Sequence, residues 1–225
     1  MKIIFTQSIM CYHYKITKKI VKIEDRFKAE MSLEDKDLFI ESKHVNGYNH
    51  PLLPVITNHE PHRIQRLSWG LIPFWAKDSK ISNSTLNAKI ETVSQLPSFK
   101  NSIQNRCLVL ADGFFEWKHL DEKGKNKQCY LIGLPEEAPF AFAGIYSKWR
   151  NPSTGQEQIS YSILTTEANS LMTEIHNSGL RMPVILQPLE ESDYLNGKDL
   201  STFGNRNELQ LIATPVDSPL KKAEE

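Results

Sequence analysis

Between Arg106 and Thr165 the chain alternates short apolar runs with turn residues, and that rhythm constrains the fold more than any other feature. Arg106–Ala111, Phe114–Trp117, Gln128–Leu134, Phe140–Trp149 and Gln158–Thr165 each read as a strand, being short and rich in β-branched and aromatic side chains. Asn151-Pro152-Ser153-Thr154-Gly155 joins the last two as a hairpin turn. Earlier, Gln65–Trp69 reads as a strand and Tyr48–Thr57 as an extended entry into one, its two prolines excluding helix. Helical periodicity is sparse. A helix is expected over Thr166–Ile175, capped by Thr166, and another over Pro188–Leu195. Asp25–Glu34 predicts a short helix and Leu86–Leu96 a partly helical stretch, while Met182–Leu186 and Leu209–Thr214 predict late strands. Many strands with few helices predict an α+β, single mixed domain, without the strand–helix alternation of a nucleotide-binding parallel sheet.

At 225 residues such a domain can bury a substantial core. Lys and Arg number 27, matching 27 Asp and Glu, so a nucleic-acid-binding role requires a locally basic face. The run containing Lys15, Lys18, Lys19, Lys22, Arg26 and Lys28 reads either as a solvated face or as a phosphate track. Three cysteines without close pairs argue against a disulfide framework or a zinc site and suit a reducing cytoplasm. Cys107 and Cys129 sit in apolar runs and read as core residues. Cys11 follows Met10, and a chain beginning at Cys11 would carry a free α-amine beside its thiol. That aminothiol condenses with an aldehyde to a thiazolidine ring. Met1–Ile9 would block the amine. It lacks the apolar length of a signal peptide and reads as an extension or a mis-assigned start.

Five polar clusters are candidates for chemistry: Cys11 with His13; Trp69-Gly70-Leu71-Ile72-Pro73-Phe74-Trp75; Asn87-Ala88-Lys89-Ile90-Glu91-Thr92; Asp112-Gly113-Phe114-Phe115-Glu116-Trp117; and His176 with Arg181-Met182-Pro183. Each has a plainer explanation as well. Trp69 and Trp75 fill core volume or stack on bases. Asn87 is a cap or a polar ligand to substrate, and Asp112-Gly113 reads as a tight turn. Glu116 lies on the solvent face of its strand, or is buried with its pKa raised into the range of a general acid. His176 faces the negative end of a helix or transfers a proton.

Taken together, these motifs and Arg106-Cys107-Leu108 resemble the SRAP family, whose members recognise and covalently cap abasic sites in single-stranded DNA. The resemblance implies a domain over residues 10–220 with a strand-rich, barrel-like core and short peripheral helices, followed by a flexible tail over 221–225. It implies Cys11 as the covalent residue, Asn87 and Glu116 as organisers of the sugar, and His176 as a proton shuttle. His13, Trp69, Trp75, Lys89, Arg106 and Arg181 are the expected DNA contacts. The expected partner is single-stranded DNA carrying an abasic site, bound by a monomer with no cofactor, metal or membrane. The expected location is cytoplasmic, nucleoid-associated in a bacterial host.

Four departures stand out. Cys11-Tyr12-His13 replaces the family's Cys-Gly-Arg start, Lys89 stands for an arginine, Asn177–Leu180 lengthens the segment after His176, and, gravest, nine extra residues at the N-terminus would acylate the amine of Cys11. A weak lyase activity, a cysteine-dependent amidase or self-processing peptidase using Cys11, His176 and Glu116, and a non-catalytic DNA-binding protein remain the other readings.

Overall fold

The computed structural model describes residues 11–220, so the expectations for Met1–Ile9 and Lys221–Glu225 lie outside the described residues. In chain order the strands are β1 (His13–Ile16), β2 (Glu30–Met31), β3 (Ser42–Asn46), β4 (Leu52–Thr57), β5 (Glu60–Trp69), β6 (Asn87–Lys89), β7 (Arg106–Ala111), β8 (Gly113–His119), β9 (Lys127–Gly133), β10 (Phe140–Arg150), β11 (Glu157–Glu167), β12 (Arg181–Pro183), β13 (Ile185–Leu186) and β14 (Ile212–Val216). The α-helices are short and peripheral: α1 (Ile20–Phe27), α2 (Leu33–Leu38), α3 (Ser170–Ile175) and α4 (Pro188–Leu195).

The strands form a five-stranded sheet in the order β14-β9-β8-β1-β3 and a nine-stranded sheet built on β12-β11-β10-β7-β4-β5-β2. The larger sheet closes on itself. β11 pairs β10, β10 pairs β7, β7 pairs β4, β4 pairs β5, and β5 returns to β11 in parallel through Ser68–Ser160 and Trp69–Tyr161. The expected α+β architecture with a barrel-like core is the observed one.

β7 shows why the run from Arg106 to Ala111 reads as unbroken apolar sequence: both of its faces are buried. Cys107, Val109 and Ala111 join a core with Tyr14, Phe114 and Ile132 of the smaller sheet. Leu108 and Leu110 join a second core with Ile23 of α1 and Tyr194 of α4. β10 divides in the same way, Phe140 and Phe142 into the first core, Ala141 and Ala143 into the second. Cys107 and Cys129 are buried as core residues.

Several boundaries differ from the sequence expectation. Thr166 does not cap α3; β11 continues through Glu167, and Asn169 caps the helix by accepting from Met172 N at 3.0 Å. The helix expected over Asp25–Glu34 is broken twice. Lys28 takes the left-handed conformation (φ 51°) and ends α1, and Ser32 caps α2. Asn87–Lys89 is a strand rather than helix, because it finds a parallel partner in β11, at Ile163–Thr165. The late strand β14 starts three residues after the expected Leu209 and runs on to Val216.

Asp112 fastens the smaller sheet to the barrel. It lies between β7 and β8, and its buried carboxylate accepts from Lys18 N at 2.8 Å and Thr17 Oγ1 at 3.1 Å and also from Thr17 N, with Lys15 Nζ at 3.7 Å. In place of the tight turn expected at Asp112-Gly113 there is a single-residue bend at Asp112 between β7 and β8, and it anchors the chain leaving β1. Asp112→Ala leaves two part-buried amides without their acceptor and Lys15 with only Glu137, at 3.9 Å, and is expected to cost about 1–3 kcal/mol in urea denaturation. A loss below about 0.5 kcal/mol would contradict this role.

Candidate active site

Four side chains from separate parts of the chain converge where the smaller sheet meets the barrel. Cys11 immediately precedes β1. Extending the β1–β8 register, in which Tyr14 faces Phe114, sets Glu116 level with Tyr12, one residue along from Cys11. Asn87 opens β6, held beside β11, and donates from Nδ2 to the Cys11 carbonyl at 2.9 Å. His176 is the C-terminal cap of α3, and its Nε2 lies 4.0 Å from Glu116 Oε2. All four are buried, Cys11 and Glu116 each 2% exposed and His176 1%.

Burial sets the protonation states. Glu116 is pushed up to about 8 by desolvation, against the smaller lowering effect of the Trp117 backbone N–H. It is therefore chiefly a carboxylic acid at neutral pH. Burial also pushes the Cys11 thiol well above its ordinary value, and negative charge on Glu116 pushes it in the same direction. His176 Nδ1 lies 2.7 Å from the Arg181 carbonyl. A carbonyl only accepts, so Nδ1 carries the hydrogen, and in the neutral ring Nε2 presents its lone pair toward Glu116. Asn87 Oδ1 and Glu116 Oε1 are buried with no hydrogen-bond partner among the described residues. Two unpaired oxygens beside one cysteine form a site prepared for a polar group.

The expected DNA contacts divide sharply. Lys89 on β6 is exposed, and Trp75 is 46% exposed with Nε1 3.4 Å from the Pro97 carbonyl. The other four have their polar groups or ring faces on protein partners. Trp69 has no exposed surface; it stacks on Tyr161 and donates to the Leu86 carbonyl at 2.8 Å, leaving no face for a base. Arg106 is buried and donates to the carbonyls of Ile103, Tyr194 and Lys198. Arg181 grips Glu91 with both arms of its fork, at 3.0 and 2.8 Å, and donates to the Thr165 carbonyl at 2.8 Å. Burial opposes ionisation of Glu91, but the hydrogen bonds and charge of Arg181 outweigh it and hold its carboxyl below the ordinary value.

His13 likewise faces protein. Its Nδ1 is 2.9 Å from His44 Nε2, and its ring meets the Trp117 edge at 5.1 Å. Burial, aided by His44, pulls its pKa down to about 4, so it is neutral near pH 7 and cannot act as a cationic phosphate ligand there. Sequence reasoning noted Glu91 but missed its pairing with Arg181, which exists because β6 and β12 flank β11. Among the described residues no group of three or more His, Cys, Asp or Glu has metal-binding placement, and no helix is long and apolar enough to cross a membrane.

The raised Glu116 value has a definite sign for stability. The folded state retains this proton up to about pH 8, whereas an unfolded glutamate releases it near 4.5. The stabilisation from the neutral acid is complete below about pH 4.5 and is lost as the pH rises through 8. Glu116→Gln is expected to remove that component of the pH dependence, so that urea midpoints of variant and wild type diverge in the variant's favour from pH 5 to 9. Parallel curves would mean that Glu116 is not a buried acid.

The family profile described as SOS response associated peptidase (SRAP) matches residues 10–222. "Abasic site processing protein YoqW" of Bacillus subtilis is 36% identical over 210 residues, covering 93% of this chain and 88% of the relative. "Abasic site processing protein HMCES" of Gallus gallus is 32% identical over 143 residues, covering 53% of this chain and 41% of the relative. A crystal structure of a protein from Bacteroides thetaiotaomicron superposes with a TM-score of 0.84 at 33% identity, over 92% of each chain. With the profile spanning nearly the whole chain and the fold shared with these relatives, the chain belongs to the SRAP family.

Proposed function

We propose that this protein processes abasic sites in single-stranded DNA by forming a thiazolidine between Cys11, as the first residue of the chain, and the C1′ aldehyde of the ring-opened sugar. The observation that carries the reading is the buried meeting of Cys11, Asn87, Glu116 and His176, in which the one carboxyl is an acid at neutral pH. The names of the relatives support the DNA lesion as the substrate.

The high thiol pKa orders the steps. Cys11 keeps its S–H proton near pH 7, so its α-amine, with an ordinary value of about 8, is the first nucleophile. The amine adds to the aldehyde carbon to give a carbinolamine. Glu116 donates its proton to the departing hydroxyl, water leaves, and the nitrogen returns its N–H proton to the Glu116 carboxylate as the imine forms. Sγ then bonds to the imine carbon, and the S–H proton passes to the ring nitrogen. The balance is DNA plus protein minus one water. Asn87 holds the Cys11 carbonyl through Nδ2 and offers Oδ1 to the amine or the carbinolamine hydroxyl. His176, through Nε2, takes up or returns a proton beside Glu116.

The same thiol argues against a cysteine-dependent amidase, because such a nucleophile needs a depressed pKa and a neighbouring cation. DNA contact falls to Lys89 and Trp75, whose side chains are accessible; the lysine supplies charge without the bidentate fork of an arginine.

Intact mass after mixing a chain that begins at Cys11 with single-stranded DNA bearing one abasic site is expected to give the sum of the two masses minus one water. Glu116→Gln is expected to slow adduct formation about 10²-fold, and Cys11→Ser to give no stable adduct. An equally stable Cys11→Ser adduct would eliminate the thiazolidine.

A further inference from the structure

The segment that distinguishes this chain after His176 makes a contact that none of the chemistry above assigns. Asn177 reaches across to the end of β8 and binds the backbone of His119 with both ends of its amide. His119 N donates to Asn177 Oδ1 at 3.0 Å, and Asn177 Nδ2 donates to the His119 carbonyl at 2.9 Å. This is the pairing that a neighbouring strand residue would make. The edge of β8 is open to it there: Leu120 N bonds to Asn126 O on the β9 side, so the groups of His119 point the other way, beyond the observed β1 pairs at Phe114 and Gly113.

A second link runs beside the first, Lys118 Nζ to Glu174 at 2.8 Å. The loop's own turn is tight. Leu180 N bonds to His176 O at 2.8 Å, Leu180 adopts φ 51°, and its carbonyl accepts from Ala168 N at 3.1 Å. α3 spans only Ser170–Ile175 and ends at His176, whose ring is held at Nδ1 by the Arg181 carbonyl at the far end of the same loop.

We infer that Asn177 is a positioning residue for the proposed reaction: by capping the β8 edge at His119 it locks the His176 loop to the strand carrying Glu116 and closes that side of the site to water. The inference rests on the proposed function only for its effect on reaction rate; the clasp and its effect on Glu116 are independent of it. Glu116 is faced by Cys11 and Tyr12 from the β1 side, by Cys129 and Tyr130 from β9, and by His176 from α3. Of these, only His176 is attached to the segment that Asn177 holds. Releasing the loop therefore admits water along one wall and relieves the desolvation of the carboxyl.

The test compares wild type with Asn177→Ala and with Asn177→Asp, which keeps the acceptor for His119 N and loses the donor to its carbonyl. The carboxyl ¹³C titration of Glu116, followed by NMR, is expected to move to lower pH in Asn177→Ala, toward the ordinary glutamate value, with a smaller shift in Asn177→Asp. Adduct formation at pH 7 is expected to slow several-fold in the same order, with its alkaline fall-off moving down in pH alongside the titration. An unchanged Glu116 titration in folded Asn177→Ala overturns the inference, including when the urea midpoint falls, since that outcome is structural support alone. If wild type forms no adduct, the functional reading fails, and the titration still decides whether Asn177 controls Glu116.

Discussion

The closure of the barrel at β5 and β11 is the constraint on which the site depends. Trp69 and Tyr161 meet in parallel register there, their rings stacked, and Tyr161 shares its hydroxyl with Tyr14 of the smaller sheet at 3.2 Å. The chain must then turn away within a single residue. Gly70 does this at φ 112°, where an added Cβ would stand 2.7 Å from His50 Nδ1 and 2.9 Å from the Ser82 carbonyl. With that seam closed, β11 has β6 and β12 as further neighbours. β6 supplies Asn87, and β12 supplies the carbonyl that fixes the His176 tautomer. Half of the site thus hangs on one strand.

The other half comes from the smaller sheet, and its electrostatics follow from where that sheet sits. Glu116 is buried without a cation among its hydrogen-bonded partners, so the cheaper state near neutral pH is the neutral acid. Ion pairing is placed elsewhere, at Arg181–Glu91 and Lys15–Asp112, where it holds backbone segments together. The separation has a chemical consequence. A salt-bridged Glu116 would be a carboxylate and unable to donate; isolation from the nearby cations preserves its proton.

Legibility in the sequence followed the range of the interaction. The run Arg106–Ala111 was readable to the residue because burial on both faces writes itself as uninterrupted apolar sequence. The four convergent residues were readable as motifs, through their likeness to the SRAP family; their meeting was not, since Asn87 and Cys11 touch across 76 positions and only the fold joins them. The surroundings of the other expected contacts were not legible, for one cause. Trp69, Arg106 and Arg181 have the chemistry of nucleic-acid contacts, yet each has its polar groups on protein carbonyls or on Glu91. Residue type does not reveal whether an arginine fork faces outward. His13 is similar: its partner, His44, is on β3, a strand that sequence pattern did not reveal.

The departure at His13 can be followed one step further. An arginine at position 13 would bring a permanent charge to the start of β1, whereas His13 and His44 meet there as two stacked rings, neutral at pH 7. The local charge near the cysteine then rests on more distant lysines, of which Lys89 is the exposed one on β6. A lysine is a point charge on a flexible stem, so it attracts a phosphate without fixing its orientation. On the proposed reading, orientation of the sugar is left to Asn87, to Glu116 and to the loop that carries His176. In this chain the buried site is joined to the β8 edge through the loop after His176, by the two hydrogen bonds between Asn177 and the His119 backbone.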